Sequence, residues 1–163
     1  MSLFPVKPRY FLSSLLLCSC FSVFQAALAE SESTNQYTQT VTRTVLAEGL
    51  PKAAPNQILE LVRYEIPPFA TLPPHIHPGL QIARVEFGLL TYAVIEGTAL
   101  ITRADGTKES LTPGQKTLLK PGDAVTEAEG MVHFGQNETP DPVILLATSL
   151  LTVGEPKAIL IEE

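Results

Sequence analysis

The chain spends its three histidines in two places. His75 and His77 stand in PPHIHPGLQIARVEFG, residues 73–88, and His133 stands in GDAVTEAEGMVHFGQN, residues 122–137. Imidazole is the commonest protein ligand for transition metals near neutral pH. Side chains on an extended strand alternate between its faces, so His-x-His places two rings on one side. A third histidine from a distant segment can then close a facial set on one ion. A divalent metal held this way offers Lewis-acid or oxygen-activating chemistry.

Other chemistries find less support. No Ser or Cys is placed convincingly beside a base, so nucleophilic catalysis has no candidate. Phosphate-cradling glycine loops are absent. The formal charge is −6, and no basic patch interleaves with aromatics, which excludes nucleic acid as an expected partner.

Both histidine segments resemble the two motifs of the cupin superfamily, G-x5-H-x-H-x3-E-x6-G and G-x5-P-x-G-x2-H-x3-N. Here the first reads Phe69-x5-His75-x-His77-x3-Gln81-x6-Gly88 and the second Gly122-x5-Ala128-x-Gly130-x2-His133-x3-Asn137. The spacings are intact. Phe69, Gln81 and Ala128 depart from the pattern by single substitutions. The resemblance covers roughly residues 57–151 and implies a small jelly-roll barrel holding a divalent ion on His75, His77 and His133, with position 81 as fourth ligand. Imidazole suits Mn, Fe, Cu, Ni and Zn alike. A homodimer is a further implication of the resemblance.

The fourth position is where this chain is unusual. Strand parity favours Gln81 over Glu86: if Gln81 faces inward, so do Ala83, Val85 and Phe87, an apolar pocket lining, whereas turning Glu86 inward would also bury Arg84. Gln81 can ligate through its amide oxygen or hydrogen-bond a metal-bound water, but it brings no charge and cannot take a proton. A divalent ion left uncompensated favours a small anionic guest. Gly88, Gly122, Gly130 and Asn137 read as turn and packing residues of the motif. Tyr64, Tyr92 and Phe134 either point into the pocket or fill the core.

The surrounding elements are short strands. Residues 41–46, 58–66, 80–87, 92–95, 99–103, 116–119, 124–127, 131–134 and 143–151 have strand character, punctuated by Pro and Gly turns such as Pro67-Pro68, Pro73-Pro74, Asp105-Gly106 and Pro121-Gly122. On the 58–66 strand, Ile58, Val62, Tyr64 and Ile66 share one face, interrupted only by Glu60. No window has a capped helical period over three turns. Many short strands argue an all-β sandwich or barrel. With 163 residues, 45% of them apolar, the chain is one domain large enough for a core.

Residues 1–29 form a different kind of segment. Lys7 and Arg9 precede an apolar run from Phe11 to Phe24, and Ala27-Leu28-Ala29 is a small-x-small cleavage site. This is the pattern of a secretory signal peptide cut near Ala29, too short an apolar run for a membrane span. It predicts a secreted or periplasmic protein. Leu17-Cys18-Ser19-Cys20 loosely matches a lipoprotein box, which would anchor Cys20 by lipid, but apolar residues continue after it. Residues 30–56 are expected to form a polar lead-in, partly disordered, with one strand, and residues 57–163 the barrel. The function expected is an exported metal-binding barrel with a small, mostly apolar pocket for a small molecule. It acts either as a dioxygenase, isomerase or lyase, or as a non-catalytic metal-holding or ligand-binding module.

Overall fold

The computed structural model describes residues 41–161. The expected signal peptide (1–29) and the first part of the expected lead-in (30–40) lie outside the described residues. The rest is all β: β1 (Thr42–Gly49), β2 (Gln57–Ile66), β3 (His75–Ile76), β4 (Gly79–Phe87), β5 (Leu90–Glu96), β6 (Ala99–Thr102), β7 (Lys108–Leu111), β8 (Lys116–Leu119), β9 (Ala124–Glu127), β10 (Val132–Gln136), β11 (Val143–Thr152) and β12 (Ile159–Leu160). Among the described residues no helix is long and apolar enough to cross a membrane.

The strands form two antiparallel sheets. One has seven strands in the order β1-β2-β11-β4-β9-β6-β7, the other five in the order β12-β3-β10-β5-β8. The core lies between them. Val62, Ile66 and Val85 from the larger sheet meet Val94 and Leu119 from the smaller one, all essentially inaccessible. Each such aliphatic contributes roughly 1.5–3 kcal/mol on burial.

Alternation along the strands follows the sequence closely. On β2, Glu60 shares the buried face with Val62, Tyr64 and Ile66. Its carboxylate is kept there by Arg43 Nη2 at 2.7 Å and Lys157 Nζ at 3.5 Å, as a buried charge requires. On β4, Gln81, Ala83 and Val85 are buried, while Leu80, Ile82, Arg84 and Glu86 face out.

Parity then breaks at Phe87, which is 51% exposed rather than lining the pocket as its spacing predicts. The cause is a register shift. Val85 and Phe87 pair with the consecutive residues Leu145 and Ile144 of β11, so β4 carries one extra residue there. A bulge of this kind re-aims the side chains beyond it.

Three elements were not legible in the sequence. β7 is almost wholly exposed. β3 and β12 have two residues each and exist only by pairing with one another and with β10. The polar lead-in expected over 30–56 contains β1, which joins the larger sheet by pairing along β2.

Candidate metal centre

Two cross-strand pairs, one from each sheet, build the site. In the smaller sheet His75 on β3 is the register partner of His133 on β10. In the larger sheet Gln81 on β4 is the partner of Glu127 on β9. His77 lies in the link between β3 and β4. All five side chains are buried.

The three imidazoles converge. Their ring centroids are 4.3 Å apart for His75 and His133, 5.1 Å for His75 and His77, and 5.2 Å for His77 and His133. One ring nitrogen from each lies within 4.8 Å of the others. Each ring is oriented by the backbone. His75 Nδ1 bonds the carbonyl of Pro73 at 2.8 Å, His77 Nδ1 that of Lys157 at 2.7 Å, and His133 Nδ1 that of Met131 at 3.2 Å. A carbonyl only accepts, so each neutral ring carries its proton on Nδ1 and presents a lone pair at Nε2. Such backbone bonds are the usual means of fixing a metal-ligating histidine.

Glu127 is the residue that the sequence reading did not single out. Its Oε2 lies 3.5 Å from His77 Nε2 and its Oε1 3.3 Å from His133 Nε2. Gln81 Nε2 donates to Glu127 Oε2 at 2.8 Å and lies 3.0 Å from His77 Nε2. The amide oxygen of Gln81 points away, accepting from Ser149 Oγ at 2.8 Å and facing the Tyr64 hydroxyl at 3.5 Å. Arg43 Nε donates in turn to that hydroxyl at 3.4 Å. Gln81 thus turns its amide nitrogen toward the histidine face and Glu127, and its oxygen toward Ser149, rather than presenting the oxygen as a ligand. Strand parity contained a signal for Glu127: it shares the inward face of β9 with Val125, and an acidic residue on a buried face needs a partner.

Burial governs the electrostatics. It lowers the His75 pKa to about 3, with help from the neighbouring His133 and His77. His77 is lowered too, by burial foremost, against the pull of Glu127. For Glu127 burial acts upward, but His133, His77 and the Gln81 amide outweigh it and hold the carboxyl below its usual range. A histidine kept neutral by burial and a carboxylate kept ionised are the protonation states that metal ligands require.

The cavity around these groups measures about 40 Å³. One water needs roughly 10–15 Å³ of such space, so it admits an ion with a few small ligands. Ala83, Val85, Leu90, Leu119 and Val125 form its apolar wall, together with Tyr64 and Tyr92. Phe87 and Phe134 do not line it. Among the described residues, Glu127 is the one acidic residue that lines it, and no Lys or Arg does. The motif residue Asn137 sits apart as a buried clamp: its amide donates to the carbonyls of Pro67 and Asp141, and its oxygen accepts from Thr139. Gly88 turns the chain at φ 81°, where a Cβ would lie 2.4 Å from the Pro142 carbonyl oxygen. Gly122 and Gly130 also take positive φ, as turn residues.

No protein-family description matches the sequence, and no curated protein matches it. Solved structures do resemble the fold. A cupin-like protein from Thermotoga maritima superposes with a TM-score of 0.50 at 21% identity, over 76% of this chain and 77% of that one. KdgF from Halomonas sp. gives 0.47 at 20% identity, over 68% and 79%. The DMSP lyase DddQ from Ruegeria pomeroyi gives 0.49 at 17% identity, over 77% of this chain and 53% of that one. The chain has the cupin jelly-roll fold.

Proposed function

We propose that the protein is an exported, divalent-metal-binding cupin barrel in which His75, His77 and His133 hold the ion and Glu127 supplies the carboxylate. One observation carries this reading: each histidine ties Nδ1 to a backbone carbonyl, so that three Nε2 lone pairs converge beside an ionised carboxylate. The donor set of three nitrogens and one oxygen fits Mn, Fe, Cu, Ni or Zn. An ion bound there polarises a ligand's oxygen or acidifies a bound water. The chain's own residues do the rest. Backbone carbonyls orient the rings, Gln81 fixes Glu127, and the apolar wall keeps bulk water from the site. Glu127 also replaces the proton acceptor that an amide at position 81 removes, which supports turnover of a small substrate by a dioxygenase, isomerase or lyase reaction.

The small cavity favours a second reading, a module that holds metal without turnover. The two differ in whether the bound ion accepts an exogenous ligand. Export rests on the charged and apolar pattern of residues 1–29.

The experiment is elemental analysis of the mature protein isolated from its own compartment, beside a His75/His77/His133 triple alanine variant. One equivalent of a transition metal, lost in the variant, is the expected result. A redox-active metal directs the search to oxygen-dependent turnover, and zinc to lyase or holding roles. Absence of metal from both proteins overturns the reading.

A further inference from the structure

Two tyrosines line the cavity, and their hydroxyls differ. Tyr64 is engaged between Arg43 and Gln81. Tyr92 is 2% exposed, and among the described residues its hydroxyl makes no hydrogen bond of normal geometry, with the Glu127 carboxylate close by. Its ring stacks on His133, with centroids 5.5 Å apart and planes 29° from parallel. Tyr92 is held on β5 by pairing with Gly135 of β10 on one side and Thr117 of β8 on the other. A buried hydroxyl left without a partner is destabilising, so its retention beside the histidine face points to a ligand.

We propose that the Tyr92 hydroxyl is the hydrogen-bond donor to an oxygen of a small, singly charged oxyanion, such as a monocarboxylate or an enolate, bound on the histidine face. This deepens the reading of the site as a metal centre and rests on it. Three features set the ligand class. The first is the hydroxyl itself: its O–H is free to donate and so calls for an acceptor. Charge sets the second limit. A divalent ion with Glu127 leaves one positive charge, and no cationic side chain lines the cavity to compensate a second anionic group. Buried charge without compensation is costly. Size sets the third: about 40 Å³ admits only a few heavy atoms beyond the ion. The anionic guest expected from Gln81 alone thus becomes a monoanion once Glu127 is counted.

The test compares the mature protein with Tyr92→Phe, each loaded with Co(II), using formate, the smallest carboxylate, as probe. The cobalt absorption spectrum reports both metal uptake and formate binding. Expected are equal Co(II) affinities and formate binding weakened about tenfold in the variant, the loss of one hydrogen bond to a charged group. Metal-free Tyr92→Phe is expected to melt no lower than the parent, since it loses only an orphan hydroxyl. Equal formate affinities, or no formate binding to the parent, overturn the proposal and leave the metal centre standing. A variant that loses Co(II) affinity while keeping formate binding makes Tyr92 a support for Glu127 and overturns it as well. Failure of both proteins to take up Co(II) overturns the metal centre itself.

Discussion

Gln81 and Glu127 face each other across the β4–β9 ladder, and the amide nitrogen of one donates to the carboxylate of the other at 2.8 Å. The motif that this chain resembles has its carboxylate at the position of Gln81. Here the acid stands on the neighbouring strand, on the same face of the same sheet. The two positions are exchangeable in the physical sense: both side chains leave the sheet side by side, and both reach His77.

This exchange can be run in the laboratory. Glu127→Gln removes the site's negative charge at constant volume and is expected to weaken metal binding by one to two orders of magnitude, roughly the loss of a ligand or its close support. Gln81→Glu in the same molecule is expected to restore most of that affinity. Calorimetric titration with Zn(II) or Co(II) measures both. A double variant no better than Glu127→Gln would show that the carboxylate works only from β9.

Metal and stability are linked through the same residues. Binding stabilises the folded chain by RT ln(1 + [L]/Kd), about 2.7 kcal/mol at a hundredfold excess over Kd. Melting of the loaded protein should therefore fall on addition of a chelator. His133→Ala is expected to melt at one temperature with or without chelator.

Acid should destabilise the metal-free protein well before the ordinary carboxylates titrate. His75 is neutral when folded down to about pH 3, while the unfolded chain takes up that proton near pH 6.5. The unfolded state then binds more protons, so stability is complete above pH 6.5 and is lost as pH falls toward 3. The slope is about 1.4 kcal/mol per pH unit for each such histidine. His77, also lowered, adds in the same direction. Denaturant titrations between pH 7.5 and 5 measure the effect, and His75→Ala should reduce the slope.

Asn137 is a stability residue placed away from the ion. Asn137→Ala removes the amide bonds to the carbonyls of Pro67 and Asp141, which keep only the longer bonds from Ala70 N and Thr139 Oγ1. The expected cost is about 1–3 kcal/mol, seen in denaturant midpoints, with Zn(II) affinity unchanged.

How much of this was legible in the sequence depends on distance along the chain. The histidines were, because His75 and His77 are adjacent in spacing and His133 sits in a second motif of fixed spacing. Most strands were, because burial alternates along them. Glu127 was not, because its role arises from a ladder that joins residues 46 positions apart, and register between strands is not written in either strand alone. Phe87 failed for the same reason: its outward turn comes from the bulge against β11. Phe69 is an instructive departure. It occupies a glycine position of the motif and takes φ 59°, a left-handed conformation strained for an aromatic residue. The backbone that the motif glycine serves is kept even where the glycine is gone.

The strand that carries His75 is two residues long and is flanked by β10 and β12. The link that carries His77 is secured by the Lys157 carbonyl. Residues 157–160 are thus the last part of the site to be synthesised, some eighty positions after the ligands they hold. A nascent chain that has emerged only as far as His133 already carries every metal ligand but lacks the strap that aligns two of them. On the proposed reading, the aligned ligand set exists only once residues 157–160 have been made.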